Sequence, residues 1–319
     1  MFGYETRDGL AMEETFHGRS SYFQQQISLA KDFVLKSEKP TGAPVNCPVC
    51  ASLLSESLFE KWGLCYFLCE ECWTTFAPVV AQEVKDFEKN SLLTELRRSE
   101  EYQQSSTQTR HSSWISLLKW VEHRLFRYSL RKGDWRVLIR GLRYEGLLKL
   151  IRKNPLISLT DIKGSIVAPD CYSENGYDAI FYLDTLQRRA HPLSYLQQAN
   201  VFLNPGGFLF LTTRIGTGFD LLTLKGSSEN IFPYEHIFLP SVKSLSLLLG
   251  KAGFKVLEAS TPGMFDMAHI YKQRDALEAG NLFARFLTTE YNERMFSDFQ
   301  KFLQKHGLSS TVKIVAKKL

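Results

Sequence analysis

Two short cysteine motifs carry the clearest chemistry in this chain. Cys47-Pro48-Val49-Cys50 and Cys69-Glu70-Glu71-Cys72 are C-x-x-C pairs with 18 residues between Cys50 and Cys69. Each pair turns two thiolates toward one ion, and two such knuckles complete a closed tetrahedron, so the spacing predicts a four-cysteine zinc ribbon. An all-thiolate set leaves no position for water or substrate, which makes the metal structural rather than catalytic. A dithiol redox pair is the alternative. Cys65 is read as a hairpin residue rather than a fifth ligand, because Leu58 to Leu68 has a strand, turn and strand pattern that brings the knuckles together. Ala51 and Trp73 follow the knuckles, at positions where a left-handed backbone favours glycine.

A second candidate is Glu235-His236, just after Pro233-Tyr234. A loop imidazole beside a carboxylate has the residue types for general base work, and the same histidine serves equally as a hydrogen-bonded packing residue. A third is Val137 to Gly146, where a strand runs into the place of a glycine-rich nucleotide loop. Arg124, Arg127, Arg131, Lys132, Arg136, Arg140 and Arg143 form a basic run into that loop. Such a run suits a phosphorylated ligand or an acidic partner, or else a solvated helix face.

The elements that must position these groups are legible as patterns. The chain has 319 residues, 44% of them hydrophobic and 23% charged, with a net charge of +5. That suggests a main α/β domain with a satellite module, and it falls short of a nucleic-acid-binding balance. The amino terminus lacks the pattern of a secretory signal, and no segment reaches the roughly 18 apolar residues of a membrane span. A cytoplasmic protein is expected. The reading divides the chain into an extension (1–44), the ribbon (45–80), a helical linker region (81–132) and an α/β domain (133–319) with a helical insertion near 265–306. Arg98 to Thr109, polar and poor in aliphatics, is the linker candidate. Strands are predicted at Val137–Ile139, Leu156–Leu159, Tyr177–Leu183, Phe208–Thr213, Phe254–Ala259 and Thr311–Ala316. Helices between them fall near Glu145–Lys153, Pro192–Leu203 and Val242–Ala252, the alternation of an α/β sheet.

Tyr177 to Leu186, the turn Asn204-Pro205-Gly206-Gly207, the block Asn230 to His236, and Ala252-Gly253-Phe254 with Thr261-Pro262-Gly263 resemble class I S-adenosylmethionine-dependent methyltransferases, specifically bacterial members with an amino-terminal zinc ribbon. The resemblance implies a Rossmann-like sheet, S-adenosylmethionine as cofactor, and an acceptor that is a sugar, glycan precursor or other small metabolite. It places Gly141, Gly146, Asp161 and Asp184 at the cofactor, with Asp161 as the ribose carboxylate, and Glu235 and His236 at the substrate entrance. Arg188 and Arg189 stand where the family often has a Glu-His pair.

The family's first strand ends in an acidic residue and a Gly-x-Gly-x-Gly loop. Here Ile139 holds the acidic place, Gly141 is kept, and Arg143 and Glu145 replace the other two glycines. A β-carbon at those positions intrudes on the cofactor volume, so Arg143 is expected to seal it. Only 35 residues separate Gly141 from Tyr177, room for one helix, one strand and a short element such as Ser165–Ala168. Both features favour a degenerate cofactor site and a scaffold or regulatory role, with an intact paralogue or a biosynthetic enzyme as partner. A working methyltransferase and a zinc-ribbon adaptor for another anionic ligand are the alternatives.

Overall fold

The computed structural model describes residues 20–37, 45–54, 56–129, 133–141, 145–163, 176–290 and 292–319. Helix α1 spans Ser20–Lys36. Around the first knuckle β1 (Val45–Asn46) and β2 (Leu53–Leu54) pair antiparallel. Around the second, β3 (Phe59–Lys61), β4 (Leu64–Cys69) and β5 (Thr74–Phe76) form the expected meander. Trp62 and Gly63 both take positive φ, 54° and 91°, in the two-residue turn that matches the strands' twist.

Helices α2 (Ala81–Asn90) and α3 (Leu92–Arg98) meet at Ser91, which ends the first and caps the second by accepting from the Thr94 N–H. Helix α4 (Glu100–Tyr128) follows and runs for 29 residues. The expected linker Arg98 to Thr109 is therefore mostly helix. It has no glycine or proline to interrupt it, Ser99 caps it, and Glu100 and Glu101 sit in the first turn, where the helix dipole favours them. Its polarity marks one solvated side; Tyr102 and Ser106 turn inward.

The α/β region then runs β6 (Trp135–Gly141), α5 (Glu145–Arg152), β7 (Ile157–Lys163), β8 (Tyr177–Leu183), α6 (Pro192–Phe202), β9 (Leu203–Arg214), α7 (Phe219–Leu224), β10 (Phe238–Leu239), α8 (Val242–Lys251), β11 (Phe254–Ser260), α9 (Asp266–Lys272), α10 (Leu282–Thr289), α11 (Glu293–Lys305) and β12 (Thr311–Lys318). Six of the strands form one mixed sheet in the order β11-β12-β9-β8-β6-β7. The four from β9 to β7 are mutually parallel, while β12 lies antiparallel between β9 and β11. Among the described residues no strand lies beyond β7; Ser165–Ala168 fall outside them.

Period-two alternation sorts the sheet's side chains into two cores. Val137, Ile139, Phe181 and Phe210 face α4 and α5. Leu138, Ile180, Tyr182 and Leu211 face α6, α8 and the cysteine module. That module is continuous with the domain it precedes. β10 pairs with β5 in register Phe238↔Phe76, adding a strand of the α/β region to the module's sheet. Ser241 Oγ donates to the Cys72 carbonyl at 2.7 Å, and Lys251 Nζ donates to the Val49 carbonyl at 2.8 Å. Buried Lys61 reaches back to the Gly226 carbonyl at 3.0 Å. No helix among the described residues is long and apolar enough to cross a membrane.

Both knuckles close in the same way despite lacking glycine. Ala51 (φ 65°) donates its N–H to the Cys47 carbonyl, and Trp73 (φ 57°) donates to that of Cys69. A side chain in this conformation costs roughly 1–2 kcal/mol, partly offset by glycine's greater freedom in the unfolded chain. Ala51→Gly should therefore raise stability by about 0.5–1 kcal/mol in urea unfolding of the metal-loaded protein. A loss of stability would show that the left-handed turn carries no strain.

Candidate functional site

The carboxyl ends of parallel strands are where an open α/β sheet leaves a crevice for ligands. Here a cavity of about 460 Å³ opens at the ends of β8 and β9, lined by Leu183, Asp184, Thr212 and Arg214. α1 contributes Phe23 to its wall, α3 and α4 contribute Arg97, Arg110 and Trp114, and the stretch from 230 to 236 closes one side. α9 adds His269.

Asp184 is a non-glycine residue at φ 52°, the kind of backbone outlier that clusters at functional sites. Its N–H donates to the Thr212 carbonyl at 2.9 Å, and Thr212 Oγ1 donates to its Oδ1 at 3.1 Å. The carboxylate is thereby fixed at the cavity wall. The other residues assigned to the cofactor are placed differently. Gly141 ends β6 beside Leu183. Gly146 lies inside α5, where an added β-carbon would stand 2.5 Å from the Trp114 ring and 2.7 Å from Thr107 Oγ1. It is a helix-contact glycine, required by the close approach of α4. Asp161 sits in β7 opposite Leu138. Arg143, expected to seal the donor site, lies outside the described residues. Ile139 is buried against the α4 side of the sheet.

Glu235 and His236 do line the cavity, but neither is arranged as a base. Glu235 is 4% exposed and ion-paired with Arg97 and, at 3.4 Å, with Arg188. Burial alone would raise its pKa; Arg188 and Arg97 outweigh it and hold the carboxyl at about 2. His236 Nδ1 accepts the Phe232 N–H at 2.9 Å, so the neutral ring carries its proton on Nε2 and presents a donor. Burial, with the positive field of Arg214, lowers its pKa to about 3. A base reading for the pair is corrected to a paired anion and a neutral hydrogen-bond donor.

The group with a base's geometry went unnoticed in the sequence. His269 lines the cavity with its Nδ1 3.2 Å from Oδ2 of Asp220. Asp220 is fully buried and also receives Arg214 at 3.2 Å, so His269 and Arg214, against the effect of burial, keep its carboxyl below its ordinary range. With the Nδ1 proton directed to Asp220, Nε2 carries the imidazole's lone pair, the arrangement of an oriented proton acceptor. Asp220 and His269 are 49 residues apart. No local spacing announces them, and a helical prediction over 265–306 gave His269 no special place.

Of the basic run read from the sequence, the described residues Arg124, Arg127, Arg136 and Arg140 do not line the cavity. Arg124 pairs with Glu258 at 2.7 Å. Arg140 is 1% exposed on the opposite face, its guanidinium over the rings of Tyr195 and Phe202. The cavity's arginines come instead from four separated segments, as Arg97, Arg110, Arg188 and Arg214. Away from the cavity, Cys47, Cys50, Cys69 and Cys72 bring one Sγ each within 4.8 Å of the others, close enough to hold a metal such as zinc.

A mixed α/β sheet with a crevice at its parallel strand ends, preceded by a four-cysteine cluster and carrying added helices, is a methyltransferase fold. The family model described as a methyltransferase domain matches residues 91–259, more than half of the chain, and the chain belongs to that family. Members of the family typically use S-adenosylmethionine. A tRNA U34 carboxymethyltransferase of Pseudoalteromonas atlantica is 34% identical over 82 residues, covering 26% of this chain and 25% of the relative. That of Idiomarina loihiensis is 35% identical over 80 residues, or 25% and 24%. The chain thus spans about a quarter of the length of the curated relatives it matches. Among solved structures, the phosphoethanolamine N-methyltransferase 2 of Haemonchus contortus, in complex with S-adenosylmethionine, is 14% identical with a TM-score of 0.44, covering 76% of this chain and 61% of that one.

The sign of the pH effect follows from the two lowered pKa values. His236 falls from 6.5 unfolded to about 3 folded, so the unfolded chain binds the extra proton and stability drops as pH falls below 6.5. Glu235 falls from 4.5 to about 2, adding a second loss below 4.5. Urea unfolding between pH 6.5 and 4.5 should lose about 1.4 kcal/mol per pH unit that His236→Gln does not lose. Equal slopes for the two proteins would show that His236 is protonated in the folded state.

Proposed function

We propose that this protein is a working S-adenosylmethionine-dependent methyltransferase for a small acceptor, with His269 as the proton acceptor. The observation that carries the reading is the His269–Asp220 pair, a buried carboxylate orienting an imidazole on the wall of the strand-end cavity. The lining of the cavity fits the cofactor: Trp114, Leu117, Leu147 and Leu183 would form an apolar wall for its adenosyl part, and Asp184 would take its ammonium. The donor, when bound, supplies an electrophilic methyl group. His269 takes the acceptor's proton while Asp220 stabilises the resulting imidazolium, and His236 donates a hydrogen bond into the same space.

We further infer that Cys47, Cys50, Cys69 and Cys72 hold one structural zinc ion. The closed set of thiolates suits that ion, and β5 and β10 join its module to the segment bearing Glu235 and His236. Metal analysis should give one zinc per chain. Cys69→Ser or a strong chelator should lower the melting temperature by 10 °C or more, as an order of magnitude for lost ribbon folding; unchanged melting would refute a structural ion.

Isothermal titration with S-adenosylmethionine and S-adenosylhomocysteine tests the enzyme reading, with micromolar affinity expected and about tenfold weaker binding for Asp184→Ala. No heat from a folded, zinc-loaded sample would favour instead the scaffold or regulatory role to which Ile139, Arg143 and Glu145 point.

A further inference from the structure

Two arginines of the cavity, Arg188 and Arg214, spend little of their donor capacity on the carboxylates beside them. Glu235 is shared by Arg97 and Arg188, and Asp220 by Arg214 and His269. Arg188, with a side chain only 10% exposed, meets Glu235 by a single contact at 3.4 Å, and its Nε has no hydrogen-bond partner among the described residues. Arg214 reaches Asp220 through one terminal nitrogen at 3.2 Å, on a fork that offers five N–H donors. A partly buried guanidinium with donors to spare is well suited to meet an oxyanion. Burial is the main cause of the lowered His236 pKa, and Arg214, Arg188 and Arg97 add to it through the same positive field.

Arg214 ends β9 opposite Thr311 and shares Asp220 with His269, and Arg188 lies in the turn after β8 and meets Glu235, the neighbour of His236. The apolar wall of Trp114, Leu117 and Leu147 comes from α4 and α5. We propose that Arg188 and Arg214 bind an oxyanion of the acceptor, a carboxylate or a phosphate, and so present the acceptor's nucleophile to His269. The inference rests on the methyltransferase reading for its place in a reaction, but the anion site is measurable without it. The aromatic rings of Phe23, Phe232 and Phe265, which also line the cavity, suit an acceptor with a flat or apolar body beside its charge.

The test uses the full zinc-loaded chain and three ligands with one common ring: benzoate, phenyl phosphate and neutral benzamide. Each is titrated by calorimetry with and without saturating S-adenosylhomocysteine. One of the two anions should bind at least tenfold more tightly than benzamide, its identity telling carboxylate from phosphate, and the preference should weaken as salt is raised. Arg188→Gln and Arg214→Lys should each reduce that preference about tenfold or more while leaving S-adenosylhomocysteine affinity within twofold. Arg214→Lys keeps a cation for Asp220, and Arg188→Gln leaves Arg97 on Glu235, so folding does not obscure the result. Equal binding of all three ligands, or an anion preference untouched by both substitutions, would overturn the proposal. Failure of S-adenosylhomocysteine to bind while the anion preference persists would sink the methyltransferase reading and leave the anion site standing.

Discussion

The buried carboxylate of Glu235 is the constraint around which the cavity is arranged. A carboxylate removed from water must be met by cations, and the two that meet it come from distant parts of the chain, Arg97 at the end of α3 and Arg188 in the turn after β8. Gln26 of α1 joins by accepting from Arg97. One charge therefore fixes the amino-terminal helices over the end of the sheet. These helices supply Phe23, Arg97, Arg110 and Trp114 to the cavity wall and so deepen the crevice at the strand ends.

The cysteine cluster works on the same wall from the other side. Its second knuckle leads into β5, β5 pairs with β10, and β10 begins two residues after His236. Ser241 closes the circuit by capping α8 and donating to the Cys72 carbonyl. A metal held by the thiolates would stiffen the segment that carries Glu235 and His236 without touching the cavity. The module and the α/β region share one apolar core, which is why a satellite drawn from sequence boundaries became an integral layer.

Local patterns made much of the fold legible. Short apolar strands alternating with helices placed all six strands of the main sheet, and the C-x-x-C spacing found the cluster before any coordinates. What failed did so for physical reasons. The polar stretch Arg98 to Thr109 was read as a linker because polarity alone does not distinguish a coil from a helix whose dry side is two residues wide. Gly146 was placed in a cofactor loop because glycine in sequence does not say whether it admits a ligand or a neighbouring helix; Trp114 and Thr107 decide that. Of the basic run, Arg124 went to Glu258 and Arg140 into the core, while the arginines that line the cavity are scattered over more than a hundred positions.

The sequence by itself determined what depends on near neighbours: thiol pairs, strand and helix periods, turns and caps, and the family to which their order belongs. The tertiary structure alone decided what depends on distant groups sharing a small space. Residue type makes His236 and His269 equal candidates for a base. Their environments separate them, since one ring spends Nδ1 on a backbone N–H amid arginines and the other rests its Nδ1 proton on buried Asp220. Protonation and charge pairing are set by distance and desolvation, and neither is written in the order of the residues.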